Sequence, residues 1–277
     1  MRSFEGRVVV ITGAGKGQGR SHALAFAQQG ASLVLCDLGH QIPCASPMST
    51  QEQLAETARM VESVGAQCIT MLADTRSSAD MDKLVGAAVE RFGKVDVFVA
   101  NAGLASFGPL RDMPYDVWRD VVDVNLTGVA TSIRAVVPHM IERGSGRIIA
   151  TSSSVAREGG PNNANYAASK WGVIGFVKSL AIELAPHNVT VNAFAPMSVS
   201  TDMCHNQLTY RLFRPDLAEP TTDDVRDVFA GLNPMGVPWL EVADASAAVL
   251  FLASDDARYV TGNAFDVAAG WNAFHVA

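Results

Sequence analysis

The 277-residue sequence has no apolar run long enough to span a bilayer. Its first hydrophobic stretch ends at Ile11, close behind Met1-Arg2-Ser3-Phe4-Glu5-Gly6, and is too short for the core of a secretion signal. Cysteine is scarce: Cys36, Cys44, Cys68 and Cys204 form no C-x-x-C pair, and a chain of this length does not depend on disulfides for stability. They read as reduced thiols, and the expected location is the cytoplasm. Positive charge is in deficit, with 21 Lys and Arg against 28 Asp and Glu and a net charge of −7. The resulting field repels phosphate backbones and anionic lipid, so neither nucleic acid nor a membrane is expected as a partner. His22, His40, His139, His187, His205 and His275 lack H-x-x-x-H or Cys/His spacing; no metal site is expected, and each reads as a surface or capping residue. G-x-S-x-G and the P-loop are missing, as are internal repeats, low-complexity tracts and charge blocks.

What is present is a core-forming composition, 48% hydrophobic and 18% charged, without a linker, so residues 1–277 read as one domain. Strand and helix patterns alternate. Val8 to Ile11 is a β-branched strand, Ser21 to Gln29 a helix, Ser32 to Cys36 a strand, Gln51 to Val64 a helix, Gln67 to Leu72 a strand and Asp80 to Phe92 a helix. Val95 to Ala100 and Arg147 to Thr151 read as strands on either side of one long helix, Tyr115 to Ile141. Asn165 to Leu184 is the next helix and Val189 to Phe194 the sixth strand. The alternation stops over residues 198–240, where Pro215, Pro220, Pro234 and Pro238 interrupt short helical pieces, and resumes with Ala243 to Ala253 and Ala264 to Val267. This order predicts a single α/β, Rossmann-type, doubly wound parallel sheet with helices on both faces and a lid inserted after the sixth strand.

Thr12-Gly13-Ala14-Gly15-Lys16-Gly17-Gln18-Gly19 lies where the first strand turns into the first helix. Glycines allow close approach there, and the helix N-terminus offers free N–H groups and positive potential to a pyrophosphate. Asp37 ends the second strand, where a carboxylate accepts the hydroxyls of an adenosine ribose and repels a 2′-phosphate. Lys16 pulls the other way, but on a flexible stem, so NAD is expected over NADP. Tyr166 and Lys170, four apart on a helix, share a face. A tyrosine acting as a base near neutrality needs its pKa lowered by about 2 to 3 units, which a nearby ammonium and an oxidised nicotinamide can supply together. Ser153, just past the fifth strand, is placed to hydrogen-bond a substrate oxygen.

These residues resemble the short-chain dehydrogenase/reductase family across essentially the whole chain. Thr12 to Gly19 is similar to its T-G-x-x-x-G-x-G turn, Asn101-Ala102-Gly103 to its N-A-G motif, and Asn125, Ser153, Tyr166 and Lys170 to its catalytic tetrad. The resemblance implies Tyr166 as general acid/base, Lys170 lowering its pKa and holding a ribose, Ser153 positioning the substrate oxygen and Asn125 supporting a proton relay. It also implies cofactor contacts at Gly13, Lys16, Gly17, Gln18, Gly19, Asp37, Leu38, Asp74, Thr75, Asn101, Ala102, Gly103, Val124, Pro196, Val199 and Thr201. Met197 replaces the usual glycine after Pro196. A closer resemblance is to the mycofactocin-coupled, carveol-dehydrogenase-like branch. It is carried by Gly17-Gln18-Gly19-Arg20-Ser21-His22-Ala23, the added segment Leu38 to Thr50, Phe213-Arg214-Pro215-Asp216-Leu217 and Pro238-Trp239. That branch implies oxidation of secondary alcohols with tightly held NAD and mycofactocin as the redox partner.

Met203, Leu208, Tyr210, Leu212, Phe213, Met235 and Trp239 concentrate apolar surface in the lid. They suit a hydrophobic alcohol or ketone of terpenoid, alicyclic or steroid-like type, or else they pack the lid to the body. The competing class is a non-catalytic dinucleotide-binding redox sensor or regulatory module, which would need the glycines and Asp37 but neither Ser153 nor Tyr166. Trp271, Phe274 and Val276 near the chain end, together with the family's dimers and tetramers, lead to an expected homo-oligomer, a tetramer above all.

Overall fold

The computed structural model describes residues 4–43 and 45–274. The β-branched opening run forms β1 (Val8–Thr12), buried along its whole length as a strand covered on both faces requires. Then follow α1 (Gly17–Ala27), β2 (Ser32–Asp37), α2 (Gln51–Ser63), β3 (Cys68–Leu72), α3 (Ser78–Phe92) and β4 (Val97–Ala100). The chain continues through α4 (Tyr115–Val122), α5 (Gly128–Arg143), β5 (Gly146–Thr151), α6 (Ala164–Leu184) and β6 (Val189–Pro196). Two short helices, α7 (Gln207–Phe213) and α8 (Thr222–Ala230), fill the excursion before α9 (Val242–Ala253) and β7 (Ala264–Val267).

All seven strands are parallel, in the order β3-β2-β1-β4-β5-β6-β7. One apolar layer packs Leu84, Ile133 and Val177 of α3, α5 and α6 on one face of the sheet. The other packs Phe26, Leu54 and Leu252 of α1, α2 and α9 on the opposite face. This is the doubly wound arrangement that the alternation predicts. Chain direction across the sheet reverses between β1 and β4, so the loops leaving these strands diverge and open a crevice at their carboxyl ends. The excursion is closed at its base by a bridge between Val199 and Leu240, with Ser200 N–H donating to the Leu240 carbonyl at 2.8 Å. Among the described residues no helix is long and apolar enough to cross a membrane.

Three local features differ from the sequence reading. First, α1 begins at Gly17 and not at Ser21, because the last glycines of the turn already wind into the helix despite their poor intrinsic propensity. Second, the long helix expected from Tyr115 to Ile141 is divided by a π-helical turn over Asp123–Thr127. Within that turn Asn125 exchanges two hydrogen bonds with the backbone of Leu104, accepting from its N–H at 2.8 Å and donating to its carbonyl at 2.9 Å. Third, His22 is neither a surface nor a capping residue. It is fully buried between α1 and α9, its Nδ1 is 2.8 Å from Ser246 Oγ, and burial pushes its imidazole pKa down to about 3.

Candidate active site

A cavity of about 570 Å³ occupies the crevice. Its wall runs from the β1–α1 turn, past the ends of β2, β4 and β5, to α6 and the excursion. The turn is built for close approach. Gly13 has φ of +67°, and a Cβ there would stand 2.8 Å from Ala102 Cα; a Cβ on Gly19 would stand 2.1 Å from the Gly13 carbonyl oxygen. Asn101 braces it, its Nδ2 donating to the carbonyls of Thr12 and Gly13 at 3.1 and 3.2 Å, while Thr12 Oγ1 accepts from the N–H groups of Asn101 and Ala102. Gly103 is closely packed as well, since its Cβ would be 3.2 Å from Asn125 Oδ1 and 3.4 Å from Lys170 Nζ.

At one end of the cavity Asp37, 8% exposed, accepts from Gly15 N–H through Oδ2 and from Leu38 N–H through Oδ1, both at 2.8 Å. Each carboxylate oxygen has capacity for a further donor. Lys16 is not free at that end: its Nζ pairs with Asp202 Oδ2 of the excursion at 2.7 Å. Asp74 and Thr75 are also on the wall. Burial pushes the Asp74 carboxyl up, but the Arg76 guanidinium, donating to it at 2.7 Å, outweighs this and holds it below its ordinary range.

At the other end stand Ser153, Tyr166 and Lys170. Lys170 is buried, donates to the Thr151 carbonyl at 2.9 Å and lies 5.7 Å from the centre of the Tyr166 ring; burial pushes its ammonium down to about 8. Tyr166 is raised above its ordinary value by burial, which the hydrogen bond with Ser153 partly opposes. The protein's own groups therefore favour a protonated phenol, and the ammonium expected to lower it does not offset the loss of water. Asn125 is buried beneath this cluster and is not on the wall; its Nδ2 also donates to Ser169 Oγ at 3.2 Å.

The remaining expected residues divide. Gly17, Gln18, Leu38, Ala102, Val124, Pro196, Val199 and Thr201 all line the cavity. Met197 lies there too, outside the left-handed backbone region, so a side chain fits where a glycine was expected. Of the seven apolar excursion residues, Met203, Leu212 and Phe213 are on the wall and Leu208, Tyr210, Met235 and Trp239 are not. The helical period of α7 turns Thr209, Leu212 and Phe213 inward and rotates Leu208 away. Trp239 is taken up by the packing of the excursion itself, with its ring 4.7 Å from His205, 6.3 Å from Phe229, and Arg226 over its face at 4.8 Å. Trp271, expected with the chain end at a contact between subunits, lines the cavity, while Phe274 is 67% exposed and Val276 lies outside the described residues. Phe107 and Asn163 also line the wall, and no local pattern in the sequence marks them.

The added segment after Asp37 runs along the cavity to its tyrosine end. Ile42 is buried with Leu104, Val121 and Val124, and Leu38, Met48 and Tyr166 pack against the same cluster. Residues Ser46 to Ser49 form cavity wall, and Ser46 N–H donates to the Ala105 carbonyl at 3.0 Å. One strap thus covers the span from Asp37 to the tyrosine.

The donor set fits a dinucleotide. Besides Asp37 and the glycine turn, Lys170 has ammonium protons beyond the one given to Thr151. Gln18 Oε1 and Thr151 Oγ1 are wall atoms buried without partners. A crevice that joins such a cradle to a Ser–Tyr–Lys cluster defines a nucleotide-dependent oxidoreductase. Residues 7–211 match the short chain dehydrogenase family, and the chain belongs to it. It is 43% identical over 274 residues to the (-)-trans-carveol dehydrogenase of Rhodococcus erythropolis, covering 98% of this chain and 99% of that one. The crystal structure of carveol dehydrogenase from Mycobacterium avium in complex with NAD superposes with a TM-score of 0.95 at 43% identity, covering 98% and 99% of the two chains. A short chain dehydrogenase from Mycobacterium paratuberculosis bound to NAD gives 0.89 at 32% identity, with the same coverage.

Proposed function

We propose that this NAD-dependent short-chain alcohol dehydrogenase interconverts a hydrophobic secondary alcohol, of terpenoid, alicyclic or steroid-like type, and its ketone. The observation that carries the reading is the continuous cavity in which Asp37 stands at one end and Ser153, Tyr166 and Lys170 at the other. Bound NAD supplies the acceptor for the carbinol hydride. Ser153 and the Tyr166 hydroxyl hold the substrate oxygen, and Tyr166 takes its proton during oxidation and returns it during reduction. Lys170 holds ribose hydroxyls with its free ammonium protons and adds positive charge beside the phenol. Asn125 acts through position, fixing Leu104 and Ser169 around the tyrosine. Phe107, Met203 and Phe213 supply an apolar surface that excludes water.

The strap of residues 38–50 supports tight retention of NAD, and re-oxidation in place by mycofactocin rests on the resemblance of segments 17–23, 38–50, 213–217 and 238–239 to the mycofactocin-coupled branch. Trp171 at 44% and Ile182 at 79% exposure leave apolar surface on α6, which supports a homo-oligomer, with a tetramer as the proposed state. The free thiols of Cys36, Cys68 and Cys204 suit a reducing compartment such as the cytoplasm.

The test is a panel of secondary alcohols given to the purified protein, read as NADH absorbance, or as dye reduction where NAD does not exchange. The parent should turn over apolar secondary alcohols, faster as pH rises because the phenol's raised pKa holds its proton. Tyr166→Phe should lose at least about a thousandfold in turnover at unchanged cofactor content. Activity of that variant within a few-fold of the parent removes Tyr166 from the proton transfer.

A further inference from the structure

Asn163 stands immediately before the first turn of α6, where an asparagine side chain normally accepts a backbone N–H two or three residues on. Here it makes no such bond, and its Oδ1 is buried with no hydrogen-bond partner. Native chains seldom leave a buried polar atom unpaired without a reason. The surrounding backbone holds the amide in place. Asn162 adopts φ of 63°, in the left-handed region that asparagine enters more readily than most residues with a side chain, and its carbonyl accepts from Gly108 N–H at 2.7 Å, which ties this turn to the segment that carries Phe107 of the wall. Gly160 leaves the room the amide needs, since a Cβ there would come within 3.1 Å of Nδ2 and 3.6 Å of Oδ1. Asn163 is itself part of the cavity wall, one helical turn before Tyr166.

We infer that Asn163 is a substrate-selecting residue whose amide binds a second oxygen function, hydroxyl or carbonyl, on the alcohol that reacts at Tyr166. The inference rests on the alcohol dehydrogenase reading above and narrows its substrate class. An amide is donor at one end and acceptor at the other, and half a turn about its last torsion exchanges the two. A hydroxyl on the substrate satisfies either end, and a carbonyl satisfies the donor. The excursion that contributes Met203, Leu212 and Phe213 to the wall offers apolar surface to the rest of the molecule. An alcohol with a single oxygen leaves the amide unpaired, and a site built to hydrogen-bond a group discriminates against the analogue that lacks it. The favoured substrates are alicyclic diols and hydroxyketones.

The test compares cyclohexanol with cyclohexane-1,2-, 1,3- and 1,4-diol, using the protein with its cofactor bound. The parent should oxidise at least one diol with kcat/KM about tenfold above cyclohexanol, and Asn163→Leu should bring that ratio close to one, while Asn163→Gln retains part of it. Thermal unfolding separates this from a helix-capping role. Asn163→Leu should melt at or above the parent because it removes an unpaired buried acceptor, whereas loss of a cap would lower the melting point. A parent that prefers no diol, a leucine variant that keeps the preference, or one that melts below the parent overturns the inference. If the parent oxidises neither cyclohexanol nor any diol, the dehydrogenase reading is what has failed for these compounds. The inference is then decided by binding: a diol that raises the melting temperature of the parent more than that of Asn163→Leu upholds it, and equal shifts overturn it.

Discussion

Acidification should destabilise the fold through one histidine buried behind the glycine turn, one helical turn past the wall residues Gln18 and Gly19. His22 is enclosed by α1 and α9, with its ring edge-on to Phe194 at 6.3 Å, and burial lowers its pKa from 6.5 to about 3. Between these two values the unfolded chain binds a proton at this position that the folded chain refuses. The stabilising contribution is therefore complete above pH 6.5 and is lost progressively as pH falls toward 3. At pH 4.5 the loss amounts to about 2 to 3 kcal/mol, a sizeable part of the total for a typical domain. Leucine at this site is close in volume and does not titrate. The partner hydroxyl, Ser246 Oγ, keeps its bond to the Val242 carbonyl at 3.0 Å, so His22→Leu leaves it satisfied. Urea unfolding of parent and His22→Leu at pH 7.5 and 4.5 isolates the effect, because every carboxylate titrates alike in both proteins. The parent should lose about 2 to 3 kcal/mol more than the variant. Equal losses would show that the buried imidazole does not govern acid stability.

Two further predictions concern the cofactor. Asp37→Ala removes the carboxylate that would accept the ribose hydroxyls, and should weaken NAD binding by about 10- to 100-fold while narrowing the gap to NADP; titration of the refolded apoprotein with both nucleotides checks this. A parent that binds NADP as tightly as NAD would refute the repulsion argument. Exhaustively dialysed and then denatured parent should release close to one NAD(H) per chain, and a variant with residues 38–50 shortened should release much less. Equal retention by the two would remove the strap from any role in holding the nucleotide.

The legible parts of this molecule are those whose causes are local. Val8 to Thr12 is a strand because of its own β-branched side chains, and the glycine turn is marked by residues within eight positions of one another. Tyr166 and Lys170 reveal their shared face through helical spacing alone. Features with distant causes were hidden. The π turn at Asp123–Thr127 accompanies bonds between Asn125 and Leu104, 21 positions apart, and nothing within the helix announces them. The burial of His22 depends on Ser246, 224 positions away. Leu208 and Leu212 are equally apolar, and their places are separated only by how α7 docks; Trp239 looks like pocket lining until His205 and Phe229 take its faces. Trp271 and Asn163 come from irregular or boundary segments, where periodicity carries no information about direction.

The seat of Ile42 makes the two ends of the cavity a single mechanical unit. On the proposed reading, lifting the strap to pass a dinucleotide means withdrawing Ile42 from Leu104 and Val124, a transfer to water that costs about 1.5 to 3 kcal/mol for that side chain alone. The same motion strips packing from Tyr166, so a chain open for exchange is not poised for turnover. Such an enzyme behaves less like a shuttle than like a rechargeable cell. The carrier stays, the alcohol leaves as ketone, and a second molecule must then enter to collect the electrons. On that reading its steady-state kinetics should follow a double-displacement pattern, with parallel lines when the alcohol is varied at several fixed concentrations of oxidant.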